Sequence, residues 1–303
     1  MKNIVVIGDF EFSDALIEKI KSLGKVSFIV NASSATDWLQ KVQGADVICS
    51  DGDYLLENLS KLKNVFITYP FIELGAFDTE QLKKNGVFIA NAKGSSRDSI
   101  VEWVLFATLA LFRKFTKYAN STKELSFERS ESLNGKKALI IGKGDIGKRI
   151  GEIYEELGID VDYFQRGDSL FQKTKGVQLI VNCLSTNASS EKLLDKSFFI
   201  GMDKGSYFIS FVRHYTFDVD GLIESINANV VAGAAIDCDP ETAFDTDGAF
   251  YRKLLEQENV LVTPHVAFAT KQAVENANGM MIKNIESYIV GLPQNILVKK
   301  INY

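Results

Sequence analysis

Residues 138–158 read ALIIGKGDIGKRIGEIYEELG. Four apolar residues, Ala138 to Ile141, run directly into Gly142-Lys143-Gly144-Asp145-Ile146-Gly147. A helical pattern follows, with Ile146, Ile150, Ile153, Tyr154 and Leu157 at three- and four-residue steps, and Gly158 stands where that helix would stop. Strand, glycine turn and helix in this order are the context that G-x-G-x-x-G needs to be read as a dinucleotide fingerprint. Gly142 permits the tight turn, Gly144 lets the backbone approach a pyrophosphate, and Gly147 lets the helix pack against the strand. The pyrophosphate would be held by N–H groups at the positive end of the helix, which brings Asp145 and Ile146 into the candidate cofactor site.

The following strand, Asp160 to Phe164, ends in Gln165-Arg166. An acidic residue there would accept hydrogen bonds from ribose hydroxyls and favour NAD. Gln165 removes the anion that would repel a 2′-phosphate, and Arg166 offers a planar, permanently charged fork to bind one. The expectation is therefore NADP as the preferred cofactor, with NAD the alternative if Arg166 is only a solvated surface residue.

Working outward, 303 residues are enough for two domains with a proper core, and 46% hydrophobic with 24% charged residues is ordinary globular composition. A net charge of −5 and the absence of a Lys/Arg run give no reason to expect nucleic acid or a membrane surface as partner. Cys49, Cys183 and Cys238 are far apart and lack C-x-x-C spacing, which fits a reducing compartment and neither a disulfide framework nor a metal site. Met1-Lys2-Asn3 enters a strand-like run at once, so no signal peptide is expected, and the longest apolar stretch, Trp103 to Phe112, is too short to cross a bilayer. A cytoplasmic protein is expected.

Strand-like and helical stretches alternate along the chain. Strands are expected at Ile4–Ile7, Lys25–Val30, Ala45–Cys49, Leu62–Thr68 and Val87–Ala90, with helices over Ala15–Leu23 and Asp37–Val42. A long apolar helix is expected from Ser99 to about Lys117, buried between domains or subunits. Beyond the fingerprint, strands are expected at Val177–Leu184, Tyr207–Val212, Val230–Ile236 and Val260–Val262. A last helix is expected from about Lys271 to Val290, then a short tail opened by Gly291-Leu292-Pro293. The alternation predicts an α/β chain of two doubly wound, Rossmann-like domains with the cofactor crevice at the carboxyl ends of the strands.

The chain has two histidines. His265 follows a strand end in Thr263-Pro264-His265, the edge where such a fold presents reactive groups, and imidazole suits proton exchange near neutral pH. His214 stands beside Arg213, whose charge disfavours its protonated form, and reads as structural or as a substrate contact. Arg213 ends an apolar strand, where it would grip a carboxylate or pair with a local acid such as Asp218 or Asp220. Asp237 closes another strand at the crevice, and Glu241 is the nearest glutamate to orient a histidine.

These residues resemble the D-isomer-specific 2-hydroxyacid dehydrogenases, in particular the glyoxylate/hydroxypyruvate and glycerate reductase group. The resemblance rests on Asn91-Ala92-x-Gly94 followed by Val101-Glu102, on Leu133-x-Gly135-Lys136, on Ser210-x-Val212-Arg213, on Ala235-Ile236-Asp237 and on Asn259-Val260-x-x-Thr263-Pro264-His265. It implies a cofactor domain over residues 96–269 inserted into a substrate domain split between 1–95 and 270–303. It further implies a homodimer joined through the apolar helix, and a small 2-oxo acid and its D-2-hydroxy acid as reactants. By the same resemblance Arg213 holds and polarises the 2-oxo acid, His265 exchanges the proton, Glu241 pairs with His265, and Asp237 touches the nicotinamide amide. Leu184, Ser185, Val212 and His265 join the cofactor contacts, and Ile72, Glu73, Lys93 and Arg213 the substrate contacts. The chain departs from the family pattern in three places: Thr242 where the glutamate usually stands, His214 where a glycine follows the arginine, and Glu73 in place of a glycine in the substrate loop. These departures frame the competing expectation, a dinucleotide-binding sensor of the same fold with little or no turnover.

Overall fold

The computed structural model describes residues 1–52, 54–72, 77–119, 129–212, 214–237 and 249–298. The chain divides into two α/β units, Met1–Ser96 with Thr270–Tyr303, and Arg97–Ala269.

In the second unit six parallel strands are described: β6 (Lys137–Ile141), β7 (Asp160–Phe164), β8 (Leu179–Asn182), β9 (Ser206–Ser210), β10 (Val231–Asp237) and β11 (Val260–Thr263). Their spatial order is β11-β10-β9-β8-β6-β7. Parallel strands covered on both faces read as continuous apolar runs, and Ala138 to Ile141 and Leu179 to Val181 are all buried. One face packs on a cluster including Ile180, Phe199, Phe208, Phe217 and Leu222. The other packs on Val104, Ala107, Leu111, Ile150 and Tyr154. The chain lays β7 on one side of β6 and then β8 on the other. That reversal leaves a crevice at the carboxyl ends of β6 and β8, beside the fingerprint.

The first unit repeats the plan. Strands β1 (Lys2–Ile7), β2 (Gly24–Ile29), β3 (Val47–Ser50), β4 (Phe66–Thr68), β5 (Phe88–Ala90) and β12 (Ile296–Val298) lie in the order β12-β5-β4-β3-β1-β2. The helix Lys271–Ile289 buries Met281, Ile282 and Ile285 in the cluster that holds Ile4, Val6, Cys49 and Phe66. Each fully buried aliphatic side chain of that kind contributes roughly 1.5–3 kcal/mol of transfer free energy.

Three expectations change. The apolar helix runs Arg97–Phe112 and stops there, because Lys114 adopts a left-handed conformation (φ 53°) before a separate turn, Phe115–Tyr118. Its faces are apolar on both sides: Val104, Ala107 and Leu111 are buried, whereas Phe106 and Leu109 are 46% and 44% exposed. The expected tail contains β12, which pairs antiparallel with β5. Strands expected at Leu62–Thr68 and Val177–Leu184 are shorter, Phe66–Thr68 and Leu179–Asn182, their flanks being irregular chain. Short helices at Thr79–Lys84, Leu170–Lys173 and Lys196–Ile200 escaped periodicity because they are too brief to show a face, but each begins at a side chain that accepts a backbone N–H: Asp78, Ser169 and Asp195. Among the described residues no helix is long and apolar enough to cross a membrane.

Candidate active site

The fingerprint glycines meet three different demands. Gly142 has φ 116°, and a Cβ there would run into the Cys183 carbonyl as β8 passes backbone to backbone. A Cβ at Gly147 would strike the Gly142 carbonyl, so the helix Asp145–Glu156 and the end of β6 touch at that point. Gly144 is the N-cap of this helix, and a Cβ on it would meet no atom within 4 Å. Two of the glycines are thus required by contacts within the protein, while Gly144 leaves open space over a helix N-terminus whose first N–H groups have no intrahelical acceptor. Asp145 is exposed and Ile146 half-buried in that first turn. Gly151 was missed by the sequence reading: its Cβ would collide with the Tyr163 hydroxyl, so it seats β7 against the helix. Its spacing of four from Gly147, on the same helix face, was the available signal.

At the end of β7, Gln165 to Asp168 form a tight turn. Asp168 N–H donates to the Gln165 carbonyl at 3.0 Å, and Asp168 Oδ2 accepts the Gln165 N–H at 2.8 Å. Gly167 supplies the positive φ the turn requires, 102°. Arg166, exposed, donates from Nη2 to Ser189 Oγ at 3.3 Å. Ser189 Oγ donates to Asn187 Oδ1 at 2.6 Å, and Asn187 Nδ2 donates to the carbonyl and hydroxyl oxygens of Ser185. Arg166 and Ser185 therefore belong to one polar chain along the lip of the crevice. Asp168 is a carboxylate at this corner that strand-end reasoning passed over, because it returns through the turn and not along the strand. Lys143, inside the fingerprint, places Nζ 4.4 Å from the centre of the Tyr163 ring.

Leu184 and Val212 follow β8 and β9 and are half-buried. Leu184 N–H donates to Asn182 Oδ1 at 3.2 Å, and Ser210 Oγ donates to the Val212 carbonyl at 3.2 Å.

Across the same edge, β10 ends in Asp237, which is 1% exposed. Its Oδ1 accepts Thr263 Oγ1 at 2.5 Å and the Val266 N–H at 2.9 Å, while Oδ2 accepts the Ala267 N–H at 2.9 Å. The carboxylate thus fastens the turn after β11 from both sides of His265. His265 sits in the left-handed region (φ 51°), with its N–H bonded to the Thr263 carbonyl, its ring 5.0 Å from that of Phe268, and Nδ1 3.9 Å from Asp237 Oδ2. The expectation for Asp237 was a cofactor contact; its part in shaping the histidine turn was not visible in the spacing.

In the first unit Asn91, buried after β5, draws two expected substrate contacts together. Its Nδ2 donates to the Ile72 carbonyl at 2.8 Å and its Oδ1 accepts the Lys93 N–H at 3.3 Å. Ile72 and Lys93 are exposed at that corner. Arg97 is engaged by Asp98 through Nε at 2.8 Å and Nη2 at 3.2 Å. Asp218 caps the helix Val219–Asn227, and Asp220 pairs with Lys253 at 2.7 Å. Arg213, Glu241 and Glu73 lie outside the described residues. Among the described residues no cluster of three or more His, Cys, Asp or Glu side chains is arranged to hold a metal ion.

A glycine-lined helix N-terminus and a fastened histidine on one carboxyl edge of a parallel sheet define a dinucleotide-dependent oxidoreductase. The model of the D-isomer specific 2-hydroxyacid dehydrogenase NAD binding domain matches residues 105–267. The chain belongs to this family, whose members interconvert 2-oxo and 2-hydroxy acids with a nicotinamide cofactor. It is 28% identical over 225 residues to a D-lactate dehydrogenase of Staphylococcus aureus, covering 66% of this chain and 68% of the relative. It is 27% identical over 253 residues to a D-3-phosphoglycerate dehydrogenase of Haemophilus influenzae, covering 74% of this chain and 62% of the relative. The fold is shared with the NAD-complexed D-isomer specific 2-hydroxyacid dehydrogenase of Lactobacillus delbrueckii ssp. bulgaricus, at TM-score 0.79 and 17% identity over 97% of this chain and 99% of that one. It is shared equally with an acyclic imino acid reductase in complex with NADPH and D-Arg, at TM-score 0.81 and 19% identity over 98% and 100% of the two chains.

Proposed function

We propose that this protein is a reductase of a small 2-oxo acid, glyoxylate or hydroxypyruvate, that prefers NADPH. The observation that carries the reading is the placement of His265 on a turn fastened by Asp237 at the same sheet edge as the fingerprint. The residues present suit a dinucleotide: Gly144 leaves room for a pyrophosphate over the helix N-terminus, and Asp145, Ile146 and Gly147 offer their N–H groups to it. Leu184, Ser185 and Val212 are assigned to the cofactor, and Asp237 Oδ2, which accepts one hydrogen bond, retains a lone pair that would accept the nicotinamide amide. When bound, the reduced cofactor supplies a hydride. His265 gives its proton to the carbonyl oxygen, so that the 2-oxo acid gains one hydride and one proton and leaves as the D-2-hydroxy acid. Arg213 is assigned the substrate carboxylate and Glu241 the support of His265. Ile72, Glu73 and Lys93, on the unit 1–96 with 270–303, are assigned the recognition of the substrate.

The preference for NADPH rests on Arg166, held at the crevice lip by Ser189, with Gln165 at the strand end and the Asp168 carboxylate of the same turn occupied by the Gln165 N–H. A homodimer is proposed through the helix Arg97–Phe112, whose second apolar face presents Phe106 and Leu109. A cytoplasmic location fits the free thiols of Cys49 and Cys183, both pushed up by burial. The test is loss of reduced-nicotinamide absorbance with glyoxylate, hydroxypyruvate and pyruvate, each with NADPH and NADH. Turnover of glyoxylate or hydroxypyruvate above pyruvate, faster with NADPH, is expected. Pyruvate as the better substrate would reassign the protein toward lactate chemistry, and cofactor binding with no turnover would favour a sensor.

A further inference from the structure

Lys143 stands between the first two glycines of the fingerprint, and its side chain is exposed. Its Nζ lies 4.4 Å from the centre of the Tyr163 ring, a cation held over an aromatic face. Tyr163 is one residue short of the end of β7, and its hydroxyl rests against Gly151 of the fingerprint helix, which fixes where the ring lies. Strands β6 and β7 are parallel with Ile141 level with Phe164. Lys143 and Arg166 therefore each stand two residues beyond a paired strand end, on neighbouring strands. Such strands run about 4.8 Å apart, well within the reach of both long side chains.

The charges at this corner are unevenly matched. Asp162 accepts the Tyr163 N–H through Oδ1 at 2.8 Å and Lys173 Nζ through Oδ2 at 2.7 Å. Asp168 Oδ2 accepts the Gln165 N–H at 2.8 Å and lies 3.9 Å from the same Lys173 Nζ. Lys173 thus serves both acids. Arg166 donates to the neutral Ser189 hydroxyl, and Lys143 covers a neutral ring. Among the described residues no carboxylate pairs with either of these two cations, which flank the end of β7 from its two sides, the glycine turn and the strand turn.

A phosphate monoester brings close to two negative charges and three terminal oxygens. A guanidinium fork can take two of those oxygens but only one of the charges, and a compact ammonium is suited to the remainder. We propose that Lys143 is the second ligand of the cofactor 2′-phosphate and, with Arg166, sets the preference for NADPH. The inference rests on the NADPH preference given under the proposed function. The Tyr163 ring draws the ammonium toward β7, whose end meets the adenosine ribose in a sheet of this order. A lysine serving the pyrophosphate instead would act on NADPH and NADH alike, so selectivity separates the two roles.

The experiment measures, on the full-length protein, the Kd of NADPH and NADH by nicotinamide fluorescence and the Kd of 2′,5′-ADP and 5′-AMP by calorimetry, with the thermal midpoint alongside. Wild type is compared with Lys143→Gln and Arg166→Gln. Lys143→Gln is expected to raise the Kd of NADPH and of 2′,5′-ADP by about tenfold, with NADH and 5′-AMP within about twofold of wild type. Equal losses for NADPH and NADH would assign Lys143 to the pyrophosphate and overturn the proposal. An unchanged NADPH Kd in Lys143→Gln, whatever the thermal midpoint does, overturns it as well; a selective loss confined to Arg166→Gln would then leave the NADPH preference standing. A wild-type protein that binds 2′,5′-ADP no more tightly than 5′-AMP overturns the NADPH preference, and this inference with it.

Discussion

The carboxylate nearest to His265 among the described residues is Asp237, whose Oδ2 lies 3.9 Å from Nδ1. This is beyond hydrogen-bond range, and the same oxygen accepts the Ala267 N–H at 2.9 Å. Asp237 therefore acts on the histidine chiefly through the backbone: it holds Thr263, Val266 and Ala267, and the residue between them is carried in a left-handed conformation.

Asp237→Ala should accordingly lower kcat/KM by roughly a hundredfold by loosening the turn. Leaving the buried Ala267 N–H, the part-buried Val266 N–H and the Thr263 hydroxyl unmet should also cost about 1–3 kcal/mol for each group that finds no water. Steady-state kinetics alongside urea unfolding will check this. Stability lost with kcat/KM preserved would mean that the turn does not position the acid/base.

The fingerprint glycines should separate in their effects. Gly142→Ala forces a side chain into a backbone at positive φ and against the Cys183 carbonyl, so it should destabilise the fold by more than about 1 kcal/mol. Gly144→Ala meets open space and should change stability by less than about 1 kcal/mol. Its NADPH affinity should nevertheless fall at least tenfold, by the close-approach argument for that glycine, where "tenfold" is about 1.4 kcal/mol. Equal losses of stability in the two variants would contradict the distinction.

Arg166→Asp should raise the Kd of NADPH by at least about tenfold while leaving NADH unchanged or improved, because the variant loses the guanidinium and sets a second acid beside Asp168, which repels a 2′-phosphate and accepts from ribose hydroxyls. Titration of both cofactors by fluorescence reads this directly. Parallel loss for both would show that Arg166 matters only through its bond to Ser189.

Phe106→Arg combined with Leu109→Arg should shift sedimentation from dimer to monomer, with the NADPH Kd retained. Both side chains are nearly half exposed on a helix whose opposite face is core, and an arginine pair facing its copy would repel. A monomeric wild type would remove the dimer proposal.

The first unit offers a pH test independent of catalysis. The Lys41 ammonium, then the Ser33 N–H and hydroxyl, hold the Asp37 carboxyl at about 2 against an ordinary 3.8. Because the folded value is the lower one, the stabilisation is present above 3.8 and is lost as pH falls toward about 2. A carbon-detected titration should place the Asp37 midpoint near 2, and Lys41→Met should move it upward; a midpoint at the ordinary value would show that the surface cluster does not persist in solution.

Much of this protein is written locally. Ala138 to Gly158 specify strand, turn and helix because apolar period, glycine placement and helix stop are properties of adjacent residues, and the structure carries all three. The alternation of strands and helices likewise sufficed for two doubly wound sheets, since parallel strands need crossovers and buried strands need apolar runs. The break at Lys114 and the pairing of β12 with β5 were not legible: the first depends on how one helix meets its core, the second on a partner some two hundred residues earlier in the chain. The bonds from buried Asn182 Nδ2 to the Ser210 and Thr216 hydroxyls and the turn fastened by Asp237 were decided only by tertiary structure. Their partners lie 28 and 34, and 26 to 30, residues away, and hydrogen-bond geometry depends on which strand ends are brought side by side, which spacing along the chain does not encode.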